Sequence, residues 1–229
     1  MDIQLYYEEK GAGEPLILLH GNGESGDYFS RQIDAFAARF RVIALDTRGH
    51  GRSPRGTAPF TISQFAEDLL DFMDEQGIDR AHLLGFSDGG NIAMLFALRH
   101  PERVDRLILD GANLKPSGVV LPVQVLIELG YRFEKLRSRW SAKARAKAEL
   151  LGLMVHEPHI EPDALAALHM PTLVLAGTHD LIKASETRLI AASIPDSRLQ
   201  FLKGGHAVAA ENPADFNRAV LDFLCEAQK

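Results

Sequence analysis

His82-Leu83-Leu84-Gly85-Phe86-Ser87-Asp88-Gly89-Gly90-Asn91-Ile92-Ala93 is the stretch on which the fold turns. It opens on a short apolar run of strand type. It closes on a helical pattern that continues through Ile92, Ala93, Leu95 and Phe96. Between them stands a serine with glycines two positions to either side, the composition that a sharp strand-to-helix turn needs. Such a turn lifts the hydroxyl out of the sheet and points the free N–H groups of the helix N-terminus toward it. A serine at this place can also simply cap the helix. A strand on one side and a helix on the other favour a nucleophile.

Working outward, further short apolar runs are separated by helical patterns. They are Leu16–Leu19, Val42–Leu45, Leu107–Leu109, Thr172–Ala176 and Leu199–Leu202. Most are continuously apolar, as expected of strands covered on both faces of a parallel sheet. Thr61-Ile62-Ser63-Gln64 reads as a capping box, followed by Phe65, Leu69, Phe72 and Met73 on one helix face and Gly77 as the stop. Asn212-Pro213 opens the last helix, whose buried stripe is Phe216, Val220, Phe223 and Leu224, with Cys225 packing beside it. Strand-helix alternation of this kind is an α/β doubly wound, mostly parallel sheet. From Leu114 to Met170 the alternation stops and only helical patterns remain, one of them carried by Val125, Leu126, Leu129 and Phe133. The expected organisation is a core of residues 1–113 and 171–229 with a short helical cap, residues 114–170, inserted over one sheet edge.

A serine hydroxyl needs a base to take its proton. His206, in Lys203-Gly204-Gly205-His206-Ala207, follows the last strand and so belongs to the same sheet edge. The base in turn needs an acid that fixes its tautomer. Asp180 stands just past Leu175-Ala176-Gly177-Thr178-His179, and Asp110, after Ile108-Leu109, is the competitor. The chain order Ser, Asp, His favours Asp180. Either aspartate can also be a plain turn residue.

A rival motif lies upstream. Gly21-Asn22-Gly23-Glu24-Ser25-Gly26 matches the three-glycine dinucleotide pattern, and Asp46 stands twenty residues past Gly26 where a ribose-binding acid belongs. Two features count against it. His20 precedes the glycines, and Asp46 runs into the turn-rich loop Thr47–Ser53.

Composition narrows the rest. The 229 residues are 46% hydrophobic and 24% charged, ordinary values for a globular chain with a sizeable core. A formal net charge of −6 argues against a nucleic-acid partner. One cysteine excludes an internal disulfide and is compatible with a reducing compartment. The N-terminus lacks a basic segment followed by an apolar stretch, and no apolar run reaches the ~18 residues of a membrane span. These features lead us to expect a soluble, cytoplasmic protein with a small-molecule substrate and no membrane partner. They say nothing of its oligomeric state.

On His20-Gly21-Asn22-Gly23, the Asp46–Ser53 loop, the Ser87 elbow, the Asp180 strand end and the Gly205-His206 loop, the chain resembles the α/β-hydrolase superfamily over its whole length. The Ser-Asp-Gly-Gly elbow is similar to that of the biphenyl-hydrolase-like group, which includes valacyclovir hydrolase. The resemblance implies an oxyanion hole from the backbone N–H groups of Asp88 and of Asn22, with Gly23 as the alternative to Asn22. It implies that the Asp88 carboxylate contacts a substrate amino group, although an acid in a first helical turn is also favoured by the helix dipole alone. It gives the Asp46 loop a supporting role only. The activity implied is cofactor-independent ester hydrolysis by Ser87, His206 and Asp180. Carbon–carbon bond hydrolysis or a slow-turnover ligand receptor would use the same residues.

Three further signals are read plainly. Residues 132–147 hold seven basic side chains against Glu134, a pattern that usually marks a solvated face. His156-Glu157-Pro158-His159 offers no full metal-ligand set. Trp140 can line a pocket or simply pack.

Overall fold

The computed structural model describes residues 2–226. Seven strands form one sheet: β1 (Tyr7–Lys10), β2 (Pro15–Leu19), β3 (Arg41–Leu45), β4 (Ala81–Phe86), β5 (Val104–Asp110), β6 (Thr172–Gly177) and β7 (Ser197–Leu202). Their spatial order is β1-β3-β2-β4-β5-β6-β7. Only β1 runs antiparallel, and its polar sequence gave no strand signal. The apolar runs are continuous because side chains alternate between two cores. Along β4, Leu83 belongs to one apolar cluster and Leu84 to the other.

The helices are α1 (Ile33–Ala37), α2 (Ile62–Glu75), α3 (Asp88–Arg99), α4 (Leu121–Arg137), α5 (Ala142–His156), α6 (Ala184–Ser193), α7 (Val208–Glu211) and α8 (Pro213–Leu224). Thr61 caps α2 through a bond from the Gln64 N–H at 3.1 Å. The reciprocal half of the capping box does not form, because the Gln64 side chain donates to Asp68 instead. Asn212 likewise caps nothing: its amide donates to Asp215. Cys225 is exposed rather than packed, within 3.3 Å of the Arg39 guanidinium.

Helices α4 and α5 lie between β5 and β6, and Tyr131 of one packs edge-on to His156 of the other. Ile160, Leu165, Leu168 and Met170, which follow the pair, are buried in the main core, as is Leu153 of α5. Where the pair leaves and returns, the Ile160 N–H donates to the Leu114 carbonyl at 3.0 Å.

Parallel strands put their C-terminal ends on one edge. Ser87 follows β4, Asp110 ends β5, Asp180 follows β6 and His206 follows β7, so the topology delivers all four to the same rim.

Candidate active site

The elbow at Ser87 is compressed. Ser87 has φ 53° and ψ −119°, and it is the only non-glycine residue with positive φ among the described residues. Holding such a residue there costs roughly 1–3 kcal/mol, a strain typical of functional positions. The flanking glycines permit it. A Cβ on Gly85 would stand 2.2 Å from the Gly89 carbonyl oxygen, and one on Gly89 would stand 2.1 Å from that of Leu19.

Ser87 Oγ lies 3.0 Å from His206 Nε2. His206 Nδ1 lies 2.7 Å from Asp180 Oδ1. Asp180 is itself held by the Ile182 N–H at 2.8 Å. Phe86 packs against the His206 ring with centroids 4.8 Å apart, and Tyr28 stacks on Phe86. The competitor Asp110 takes no part in this chain. It is fully buried, neither carboxyl oxygen has a partner among the described residues, and burial beside Asp180 pushes its pKa well up. Its role at the rim is through the backbone, where its carbonyl accepts the Ser87 N–H at 2.8 Å.

His20 organises the opposite wall. The Thr47 N–H donates to His20 Nε2 at 3.1 Å, so the ring proton is on Nδ1, which donates to the Gly21 carbonyl at 2.7 Å. Burial pushes the His20 pKa down to about 4, keeping the ring neutral. The Gly21 carbonyl and the Asn22 N–H belong to one planar trans peptide and point opposite ways. Anchoring the first orients the second. Among the described residues, the backbone N–H groups of Asn22 and Asp88 have no protein acceptor. Their side chains tie the two loops together, with Asn22 Nδ2 2.8 Å from Asp88 Oδ2.

Ser87, His206, Asn22 and Asp88 line one cavity of about 230 Å³. Its roof includes Val123 and Ile127 of α4. Three carboxylic acids reach it: Glu24, Asp88 and Glu157, each with its pKa raised by burial. No lysine or arginine is among the lining residues. Reading the sequence missed Glu24 and Glu157 as lining residues. Glu24 lies inside the glycine loop and Glu157 inside the motif set aside as a weak metal site, so neither carried its own signal. Among the described residues no histidine, cysteine or acid cluster suited to a metal is found. Trp140 stays outside the cavity and is largely exposed.

The dinucleotide alternative fails on Asp46. Its two carboxylate oxygens accept the Gly26 N–H at 2.7 Å and the Arg52 N–H at 2.8 Å, so it clamps two loops and faces no ribose site.

The chain belongs to the α/β-hydrolase fold family, whose pattern matches residues 14–152. Within it the relatives place the chain in the biphenyl-hydrolase-like group. One is RutD of Azorhizobium caulinodans, named for a carbamate hydrolase activity that is itself an assignment. It is 32% identical, with 98% of this chain and 96% of that one covered. The 2-hydroxy-6-oxononadienedioate/2-hydroxy-6-oxononatrienedioate hydrolase of Burkholderia vietnamiensis is 31% identical over 97% of this chain and 91% of its own. Among solved structures, the enol-lactonase of Burkholderia xenovorans LB400 superposes with a TM-score of 0.81 at 25% identity, covering 98% and 97% of the two chains. The protein is an enzyme, a hydrolase of this fold.

Proposed function

We propose that the protein is a serine hydrolase that cleaves carboxylic esters or related carbonyl compounds through an acyl-enzyme, with no cofactor. The observation that carries this reading is the unbroken run from Ser87 Oγ to His206 to Asp180, at 3.0 and 2.7 Å, opening into a small cavity. Ser87 attacks the carbonyl carbon while His206 accepts its proton. The Asn22 and Asp88 N–H groups receive the oxyanion. His206 returns the proton to the leaving group, and water then releases the acyl group by the same route. Asp180 orients the imidazole and stabilises its charged form.

The cavity chemistry narrows the substrate. Acids without a lining lysine or arginine favour a neutral or cationic acyl group, and in this reading Asp88, which lines the cavity beside Ser87, meets a protonated amine next to the carbonyl. The relatives named for dienedioates act on compounds with two carboxylates, which this lining would repel. Carbon–carbon bond cleavage of an uncharged dienone remains the second reading, favoured by the names of those relatives.

The test is a fluorophosphonate probe followed by an ester panel. Native protein should be labelled at Ser87, and Ser87→Ala should keep its circular dichroism spectrum while losing the label and the ester turnover. Labelling that survives in the folded variant overturns the assignment. Binding without turnover across esters and dienones would make the protein a receptor instead.

A further inference from the structure

Helix α4 is apolar on two opposite faces. Val123 and Ile127 roof the active-site cavity. On the outer side Leu121, Val125, Leu129, Phe133 and Leu136 recur at spacings of four, four, four and three, a single stripe in helical projection, with Trp140 in the turn just past the helix end. These side chains are 43–77% exposed. With Leu126, they make up seven of the eight large apolar side chains left exposed among the described residues. Exposed apolar side chains gathered in one patch, rather than scattered singly, mark an interaction surface.

The stripe has a charged border. Arg132, Lys135 and Arg139 edge one shallow depression together with Leu136 and Tyr131. Among the described residues these three cations have no ion-pair partner; only Arg137 and Lys147 find one, at the buried Glu134. Seven cations against one acid over residues 132–147 make this end of the cap a positive pole on a protein of net charge −6.

Charge decides the occupant. A second copy packed parallel sets the basic end on the basic end. Packed antiparallel, it sets that end against residues 121–128, whose one acid is Glu128. Neither arrangement pairs more than a small part of the seven cations. A surface that is apolar below and anionic above pairs both features at once, with leucines and phenylalanine buried, cations at headgroup level and an exposed tryptophan at the margin. We infer that the outer face of α4 docks on an anionic phospholipid surface, with Leu129 and Phe133 inserted and Arg132, Lys135 and Arg139 on the headgroup phosphates. Docking of this kind is peripheral, since among the described residues no helix is long and apolar enough to cross a membrane. The basic run is exposed, as expected of a solvated face, and its cations also flank an exposed apolar stripe.

Trp140 is the only tryptophan in the chain, so its emission reads the docking directly. Vesicles of phosphatidylcholine with phosphatidylserine should shift the emission of the full-length protein to the blue and carry the protein with them in flotation. Vesicles of phosphatidylcholine alone should do much less, and high salt should release the protein. Arg132→Gln with Lys135→Gln should weaken binding ~30-fold. Leu129→Glu should abolish it while leaving hydrolysis of a water-soluble ester unchanged. No response to anionic vesicles overturns the proposal. So does a blue emission without lipid that reddens in Leu129→Glu as the species on multi-angle light scattering falls from dimer to monomer, which would give the face to a second copy. Binding to anionic and neutral vesicles alike would remove the role given to the cations and overturn it too.

Discussion

Asp110 and Asp180 end neighbouring strands, yet only Asp180 touches His206. Asp180→Asn should therefore lower kcat by roughly 10³–10⁴-fold, since the amide favours the wrong imidazole tautomer. Asp110→Asn should leave kcat within a few fold. The opposite order in steady-state assays would transfer the orienting role to Asp110. Asp88 calls for a different comparison. Its carboxylate accepts from Asn22 and Asn91 and retains acceptor capacity toward the cavity. Valine ester should be a better substrate than N-acetylvaline ester, and Asp88→Asn should erase most of that preference, because removing one partner of a desolvated charge pair typically costs about 2–5 kcal/mol. Burial raises the Asp88 pKa, so the carboxylate is lost early on acidification and the wild-type preference should fade as pH falls. Equal kcat/KM for the two esters in both proteins would reduce Asp88 to a helix-terminus acid. Ser87, His206 and Asp180 were legible in the sequence because each stands just past an apolar run. Glu24 and Glu157 were not, since a lining role depends on where a loop and the cap come to rest, which no local pattern encodes.

At the level of elements, two contacts carry testable consequences. Helix α3 meets β4 at Gly85 and the end of β2 at Gly89, with no room for a methyl group at either. Gly89→Ala must push α3 away from the Leu19 carbonyl. It should abolish fluorophosphonate labelling of Ser87 or prevent folding, whereas Ala93→Gly, one turn further along α3, should cost only about 2 kcal/mol, from helix propensity and one buried methyl. Normal labelling of a stable Gly89→Ala protein would contradict that close approach. The loop after β3 is latched to α2 by Arg48, which makes two 2.7 Å bonds to Asp68 and a third, at 2.6 Å, to Asp2. Arg48 and Asp68 are both buried. Asp68→Ala leaves the guanidinium short of its main partner and should destabilise the protein by about 3–5 kcal/mol, read from the urea midpoint. A loss under about 1 kcal/mol would mean that Asp2 alone suffices. Strands β2 to β6 were legible because burial on both faces makes them largely apolar; β7 was legible from Leu199, Phe201 and Leu202, although only Leu202 of these is buried. Strand β1 was not, because an edge strand with exposed Glu8, Glu9 and Lys10 lacks that signature. The caps at Gln64 and Asn212 misread for a related reason. Each side chain had a closer carboxylate to bond than the backbone the motif assigns it.

For the molecule as a whole, the buried acids set a pH dependence. Asp110 has a raised pKa in the folded state and an ordinary one, about 4, when unfolded. Its favourable contribution is complete below the unfolded value and is lost as pH rises toward the folded one. Asp110→Asn removes that titration, so its melting temperature relative to wild type should climb from pH 4 to pH 8. A constant difference would mean that Asp110 ionises alike in both states. The bond between Ile160 and Leu114, where the α4–α5 pair leaves and rejoins the core, has a longer reach. It makes the excursion a closed loop, and the entropy of closing a loop grows only with the logarithm of its length, about 0.6 kcal/mol for each doubling. The segment between those two residues is thus nearly free to lengthen or shrink over evolutionary time. The strand ends that bear Ser87, Asp180 and His206 lie outside it, and the segment meets them at a few fixed points, where Val120 bonds to Leu181 and the Leu150 carbonyl to Asn22.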